Sequence, residues 1–211
     1  MSLQPIKIYY SRGPNPPKVA IICEELGIPY EKVAVENSKS PEFVKINPNG
    51  RVPAIEDPNN DNLILWESGA IVEYLVEKYD KDHKISSANE ADKWHLRQWL
   101  YFQTTGQGPY YGQAVWFYKY HPEQVPSAQK RYIGEIERVW GVLDASLKDK
   151  EYLVGDKCTY ADIAFLPWEF GVHNFIGEQV KHIDVETKYP NYWAWYQRLV
   201  NRESAKKVYA P

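Results

Sequence analysis

Two short stretches of this 211-residue sequence carry groups suited to holding a small acidic peptide. The first is Asn47-Pro48-Asn49-Gly50-Arg51-Val52-Pro53. Pro53 precedes the apolar pair Ala54-Ile55, has no N–H for a sheet ladder, and pushes Val52 into an extended conformation. A cis isomer can be fixed at such a strand entrance, which turns the backbone of the preceding residue outward. The Val52 N–H and C=O are then open to an extended peptide that docks as a short added strand. The second stretch, Glu67-Ser68-Gly69-Ala70-Ile71, opens a helical pattern. Unpaired N–H groups and the positive end of the helix dipole gather there, a setting for an anion.

The elements needed to position these groups are legible along the chain. Ile6-Lys7-Ile8-Tyr9-Tyr10 is β-rich and ends in Ser11-Arg12-Gly13-Pro14, a strand followed by a turn. Pro16 and Pro17 suit the first turn of a helix, where a missing N–H does no harm. Val19, Ala20, Ile22, Cys23 and Leu26 follow at helical spacing, and Gly27 stops the helix. Residues 30–35 read as a second strand and Pro41-Glu42-Phe43-Val44 as the start of a short helix. Two strands and a helix over residues 67–79 complete a β-α-β-α-β-β-α order, the order of thioredoxin-like domains.

Residues 80–84 break the apolar pattern and read as a linker, which predicts one domain over 1–82 and a second over 87–211. The second is helical in period throughout. Residues 90–120 form one long pattern interrupted by Gly106, Gly108, Pro109 and Gly112, and Pro109 is expected to kink or break it. Residues 127–147 form another. Residues 152–156 read as a short extended piece. Thr159 and Asp162 have the spacing of a capping box opening the next helix. The fold class is therefore α/β followed by all-α.

Composition excludes several functions. The chain is 44% hydrophobic and 25% charged, with a net charge of -3 and no dense basic block, which argues against nucleic acid as a partner. No leader pattern or membrane-length apolar run is present, so a cytoplasmic protein without a membrane partner is expected. Cys23 and Cys158 are the only cysteines and make no Cys-x-x-Cys, so no disulfide framework is expected. Cys23 lies on the apolar face of its helix and reads as buried filler. The five histidines show no ligand spacing, and no metal is expected.

Taken together, the Val52-Pro53 and Glu67-Ser68 elements resemble the glutathione-binding half of the glutathione transferases, and the likeness extends over essentially the whole chain. Pro14-Asn15-Pro16-Pro17-Lys18-Val19 and Gly106-Gln107-Gly108-Pro109-Tyr110-Tyr111-Gly112 narrow it. Both are similar to the fungal transferases related to the yeast nitrogen-regulation prion protein and to the bacterial nu-class enzymes. The resemblance implies that Val52 pairs with the cysteinyl part of glutathione and that Glu67 and Ser68 hold its γ-glutamyl end. Lys39 and Arg51 are placed to pair with the glycyl carboxylate, although isolated surface cations are more often simply solvated. It further implies a homodimer that passes the thiol to an electrophile, a disulfide or a peroxide, with glutathione as co-substrate.

In that group an asparagine at the position of Asn15 lies close to the sulfur. The thiolate is the nucleophile, and a thiol with a pKa of about 8.5 is mostly protonated at neutral pH. The Asn15 amide donates two hydrogen bonds and has no proton to lose, so it would stabilise the thiolate electrostatically at a helix N-terminus. Asparagine there is equally an ordinary helix cap. The bacterial relatives have a threonine where this chain has Gly13, and Ser11 is the alternative hydroxyl. Tyr9 is a further rival as thiol donor, though a buried sheet aromatic explains it. Tyr110, Tyr111 and Trp116, beside the glycine-rich segment, are expected to wall the acceptor site. A non-enzymatic regulator that retains the fold is the competing function, because function belongs to the site and not to the fold.

Overall fold

The computed structural model describes residues 2–210. They form two compact units. One runs to Ala88 and takes back the residues from Glu203 onward; the other is Asn89–Arg202.

The first unit has β1 (Ile6–Tyr10), α1 (Asn15–Leu26), β2 (Tyr30–Ala34), α2 (Pro41–Ile46), β3 (Ala54–Asp57), β4 (Leu63–Trp66) and α3 (Ser68–Tyr79). Its sheet order is β2-β1-β3-β4. β1 runs parallel to β2 and antiparallel to β3, and β4 is antiparallel to β3, a thioredoxin-like arrangement. Helices α1 and α3 pack together over the sheet. Ile6, Ile8, Val19, Ile22, Ile55, Ile71, Val72 and Leu75 are wholly buried between these layers, each contributing about 1.5–3 kcal/mol by leaving water. Gly27 adopts the left-handed conformation at φ 66° and closes α1, its N–H reaching the carbonyls of Cys23 and Glu24.

Residues 80–84 are tied to this unit. The buried Asp80 carboxylate accepts the N–H groups of Lys84 (2.6 Å) and Ile85 (3.1 Å). The chain's last helix, Glu203–Tyr209, packs against α1. Ala205 and Val208 are buried there. Ser204 donates to Glu25 at 2.5 Å and Lys207 pairs with Glu24 at 2.7 Å. The sequence division puts residues 203–209 with the helical region; their small apolar face and these two polar contacts fix them to α1 instead.

The second unit comprises α4 (Glu90–Phe102), α5 (Gly108–Lys119), α6 (Pro126–Ser146), α7 (Tyr160–Phe175), two single turns α8 (Gly177–Val180) and α9 (Val185–Lys188), and α10 (Pro190–Val200). The interruption expected at Pro109 takes a specific form. Gln103–Gln107 is a π-helical turn joining α4 to α5, with the Gly108 N–H reaching the Gln103 carbonyl. The wide turn accommodates a residue that cannot donate to the ladder, and the chain stays helical across it.

Residues 152–156 are turns and not a strand. All described strands lie in the sheet of the first unit, and the Leu153 N–H goes to Asp162 at 2.9 Å. The capping box at α7 is present. Both the N–H and the hydroxyl of Thr159 donate to Asp162 at 2.9 Å, and Trp195 donates to the same carboxylate.

Candidate functional site

Strand register alone gathers the sequence-predicted groups of the first unit. Tyr9 stands opposite Ala54, and Ala54 opposite Trp66. The segment leaving β1 (Ser11 to Asn15), the segment entering β3 (Val52-Pro53) and the segment leaving β4 (Glu67-Ser68) therefore emerge at one end of the sheet. Two helices, α1 and α3, begin at that end.

The Val52–Pro53 bond is cis. Among the described residues neither the N–H nor the C=O of Val52 is hydrogen-bonded within the chain. The loop before it is pinned by Asn47, a buried residue whose side chain accepts from the Asn49 N–H at 2.9 Å and donates to the Arg51 carbonyl at 2.6 Å. Lys39 donates to the Asn49 carbonyl at 2.9 Å. Gly50 has φ 59°, and a Cβ there would stand 2.8 Å from the Ser38 carbonyl oxygen, so only glycine fits. The Lys39 and Arg51 side chains are exposed.

At the head of α3, Glu67 has φ 72° and ψ 110°. A non-glycine residue in that region carries about 1–3 kcal/mol of backbone strain, held by its surroundings. Its side chain is exposed, and its carbonyl accepts the Ile71 N–H at 2.9 Å. No side chain caps α3 and no acidic residue occupies its first turn. The same holds for α1. By contrast α2 and α4 are capped by Ser40 and Asn89, and α7 by its box. The starts of α5, α6 and α10 are uncapped as well, so what sets α1 and α3 apart is that their open dipoles meet at one sheet end, where an outside anion can lie.

Asn15 is half-buried and is the first residue of α1; the cap position falls on Pro14. Ser11 is half-buried in the loop between β1 and α1. The Tyr9 hydroxyl donates to Glu56 at 3.1 Å, and burial together with that bond pushes its pKa up, a poor setting for a thiol donor.

The acceptor-wall expectation needs correction. Tyr111 is wholly buried and its hydroxyl donates to Glu169 at 3.0 Å, so it lines no surface. The space beside the glycines is filled by a protein side chain. Gly108 and Gly112 lie where an added Cβ would meet the Trp168 indole at 3.3 Å. Tyr110 is half-buried against Tyr132, and Trp116 is exposed near Tyr120.

The buried cation at this sheet end that sequence reading missed is Lys18. It is wholly buried, and its Nζ donates to the Ser68 hydroxyl at 3.0 Å. Burial pushes its pKa down to about 7, opposed by the field of Glu67. The signal was a lysine between Pro17 and Val19 in an otherwise apolar run, one turn from Asn15 and on the same helix face. Cys23 is buried with its thiol pushed up to about 12 by desolvation first and by nearby carboxylates second, which makes it inert. Among the described residues no group of three or more His, Cys, Asp or Glu side chains could hold a metal ion, and no helix is long and apolar enough to cross a membrane.

Comparison with known proteins agrees with this geometry. Residues 4–77 match the family described as Glutathione S-transferase, N-terminal domain, and residues 109–203 the Glutathione S-transferase, C-terminal domain. The chain is 54% identical to the Glutathione S-transferase-like protein gedE of Aspergillus terreus, covering 98% of this chain and 95% of that protein. It is 34% identical to the Transcriptional regulator URE2 of Saccharomyces cerevisiae, across 97% of this chain and 68% of that one. Among solved structures, the glutathione transferase URE2P6 from Phanerochaete chrysosporium, in complex with oxidized glutathione, superimposes with a TM-score of 0.90 at 47% identity, over 97% of this chain and 94% of that one. Matched along both halves by sequence and by structure, the chain belongs to the glutathione S-transferase family.

Proposed function

We propose that the chain is a glutathione-dependent transferase that binds the tripeptide on its first unit and activates its sulfur. The observation that carries this reading is the convergence, at one sheet end, of an unpaired Val52 backbone with two uncapped helix starts. Val52 would offer its N–H and C=O to the cysteinyl backbone. Ser68, Glu67 and the α3 amides would take the γ-glutamyl end, with Glu67 facing its ammonium and the α3 dipole its carboxylate. Lys39 and Arg51 would meet the glycyl carboxylate from the exposed side.

Asn15 would donate to the developing thiolate at the head of α1, lowering the thiol pKa without acting as a base. Ser11 is the second donor within the same loop. We infer reaction of the sulfur with a disulfide or peroxide as well as with carbon electrophiles, supported by the similarity to a transferase solved with oxidized glutathione. The likeness to a protein named as a transcriptional regulator supports the competing reading of a binding scaffold.

Calorimetric titration with reduced and, separately, oxidised glutathione tests the proposal. Binding of either at micromolar to millimolar affinity, abolished by a proline at position 52, is expected. Absence of both would remove the transferase reading. Tighter binding of the oxidised form, with turnover of a disulfide substrate, would select reductase over conjugation chemistry; binding without turnover would select the scaffold.

A further inference from the structure

Lys18 has a role that the proposed chemistry of the sulfur does not use. It lies one helical turn after Asn15, and its side chain runs through the interior between α1 and α3 to reach Ser68 at 3.0 Å. It thereby joins the two helix starts that frame the site. A wholly buried ammonium has lost its water, which opposes the charged form.

Of the charges on the elements around α1, the buried Asp57 of β3 accepts from Asn59, Tyr74 and Tyr79. On β1, Lys7 pairs with Glu56; on the last helix, Lys207 pairs with Glu24 and Lys206 with Glu203. On α3, Glu73 and Glu77 lie on later turns, and Glu67 at its head is the charge whose field reaches Lys18. An anion seated on Ser68 and the α3 amides would therefore add strongly to the field at Nζ.

Resting on the glutathione reading of this site, we propose that Lys18 is its buried positioning residue, holding the Ser68 hydroxyl in place and drawing in a proton when a carboxylate docks at the head of α3. The ordinary lysine value of 10.5 is pushed down to about 7 in the free protein. An opposite charge within a few ångströms raises such a group by roughly one to three units. Near pH 7.5 the lysine would pass from mostly neutral to mostly charged, and ligand affinity would rise as pH falls from 9 toward 7.

The test is titration calorimetry with S-methylglutathione, which has no thiol proton to release, at pH 7.5 in phosphate and in Tris. Differing buffer ionisation enthalpies convert the difference in observed heat into protons taken up. Uptake of roughly half a proton or more per site is expected for the wild type. K18M should lose the uptake and bind about tenfold or more weaker; K18R, charged at all these pH values, should bind within a few-fold of wild type with no uptake. A purely structural lysine would move affinity in both variants and leave no buffer dependence. Wild-type binding without buffer dependence, or uptake that persists in K18M, overturns the role of Lys18 while leaving the glutathione site standing. No binding by the wild type overturns both. Because the wild-type result alone decides the uptake, misfolding of a variant does not shelter the idea.

Discussion

Two fully buried ionisable side chains, one in each unit, show how differently the two halves use such a group. Glu169 in the helical unit is closed in on all sides. One carboxylate oxygen accepts from Gln107 at 2.7 Å and Tyr111 at 3.0 Å, the other from Trp140 at 2.9 Å and Tyr192 at 2.6 Å. Those donors come from the π turn, α5, α6 and α10, so one carboxylate fastens four elements to α7. Burial raises its pKa even so, and the four hydrogen bonds work against that rise. Lys18 instead reaches Ser68 at the head of α3, beside a strained Glu67. A buried charge surrounded by fixed donors acts as a structural node. One that ends at an uncapped helix start remains responsive to what arrives there.

The largest effect expected from breaking this contrast is at Glu169. Replacing it with Ala leaves four buried donors without an acceptor, each costing about 1–3 kcal/mol, and urea unfolding should show a loss of at least about 4 kcal/mol. Next is Asn15→Ala, which should lower kcat by roughly a hundredfold, about 2.7 kcal/mol, with affinity for glutathione within threefold. Unchanged turnover in stopped-flow and steady-state assays would take Asn15 out of the mechanism.

A smaller effect separates the units by pH. His173 stacks on Trp140 and, since Tyr192 gives its proton to Glu169, donates to the Tyr192 oxygen at 3.0 Å. Burial lowers its pKa from 6.5 to about 4. On acidification the unfolded chain takes up this proton first, so stability is lost as pH falls from 6.5 toward 4, by about 2 kcal/mol. His173→Phe should flatten that part of the stability–pH curve in thermal melts.

For Lys18 the sign favours the variant. The unfolded chain keeps the proton up to about pH 10.5 and the folded chain only to about 7, so wild-type stability rises between those values. K18M removes a cost that this shift puts at about 4 kcal/mol at pH 7, less what the lost bond to Ser68 contributes, so it should be stabilised there by an amount that shrinks toward pH 10, while losing ligand affinity. The smallest expected effect is at Cys23, whose thiol should resist modification by 5,5′-dithiobis(2-nitrobenzoic acid) until the protein unfolds.

What the sequence conveys most directly is whatever local chemistry dictates. Pro53 before an apolar pair, Gly27 after an apolar face and Thr159 with Asp162 each specify their element through a few bonds, and each element is found. Val52, Glu67 and Ser68 are readable for the same reason, and the order of strands brings them together. Tyr111 is misread because its outcome depends on Glu169, 58 residues away, and no short pattern announces that partner. Trp168 over Gly108 and Gly112 is the same case: glycines advertise room, and their spacing does not say which side chain will fill it. Lys18 is hidden because periodicity sorts residues into apolar and polar and treats a lysine in an apolar run as noise.

The last helix, α11 (Glu203–Tyr209), has a consequence for how the chain is made. Its Ser204 meets Glu25 across 179 residues, and its Lys207 meets Glu24 across 183. During synthesis the first unit emerges early, yet the side of α1 that Ala205 and Val208 cover stays wet until the whole helical unit has been translated. At about 5–20 residues per second that delay is on the order of ten seconds. For that interval the nascent first unit exposes apolar surface on the very helix that begins with Asn15. That side of α1 is therefore expected to be covered only once residues 203–209 have been made, however early the strands have paired.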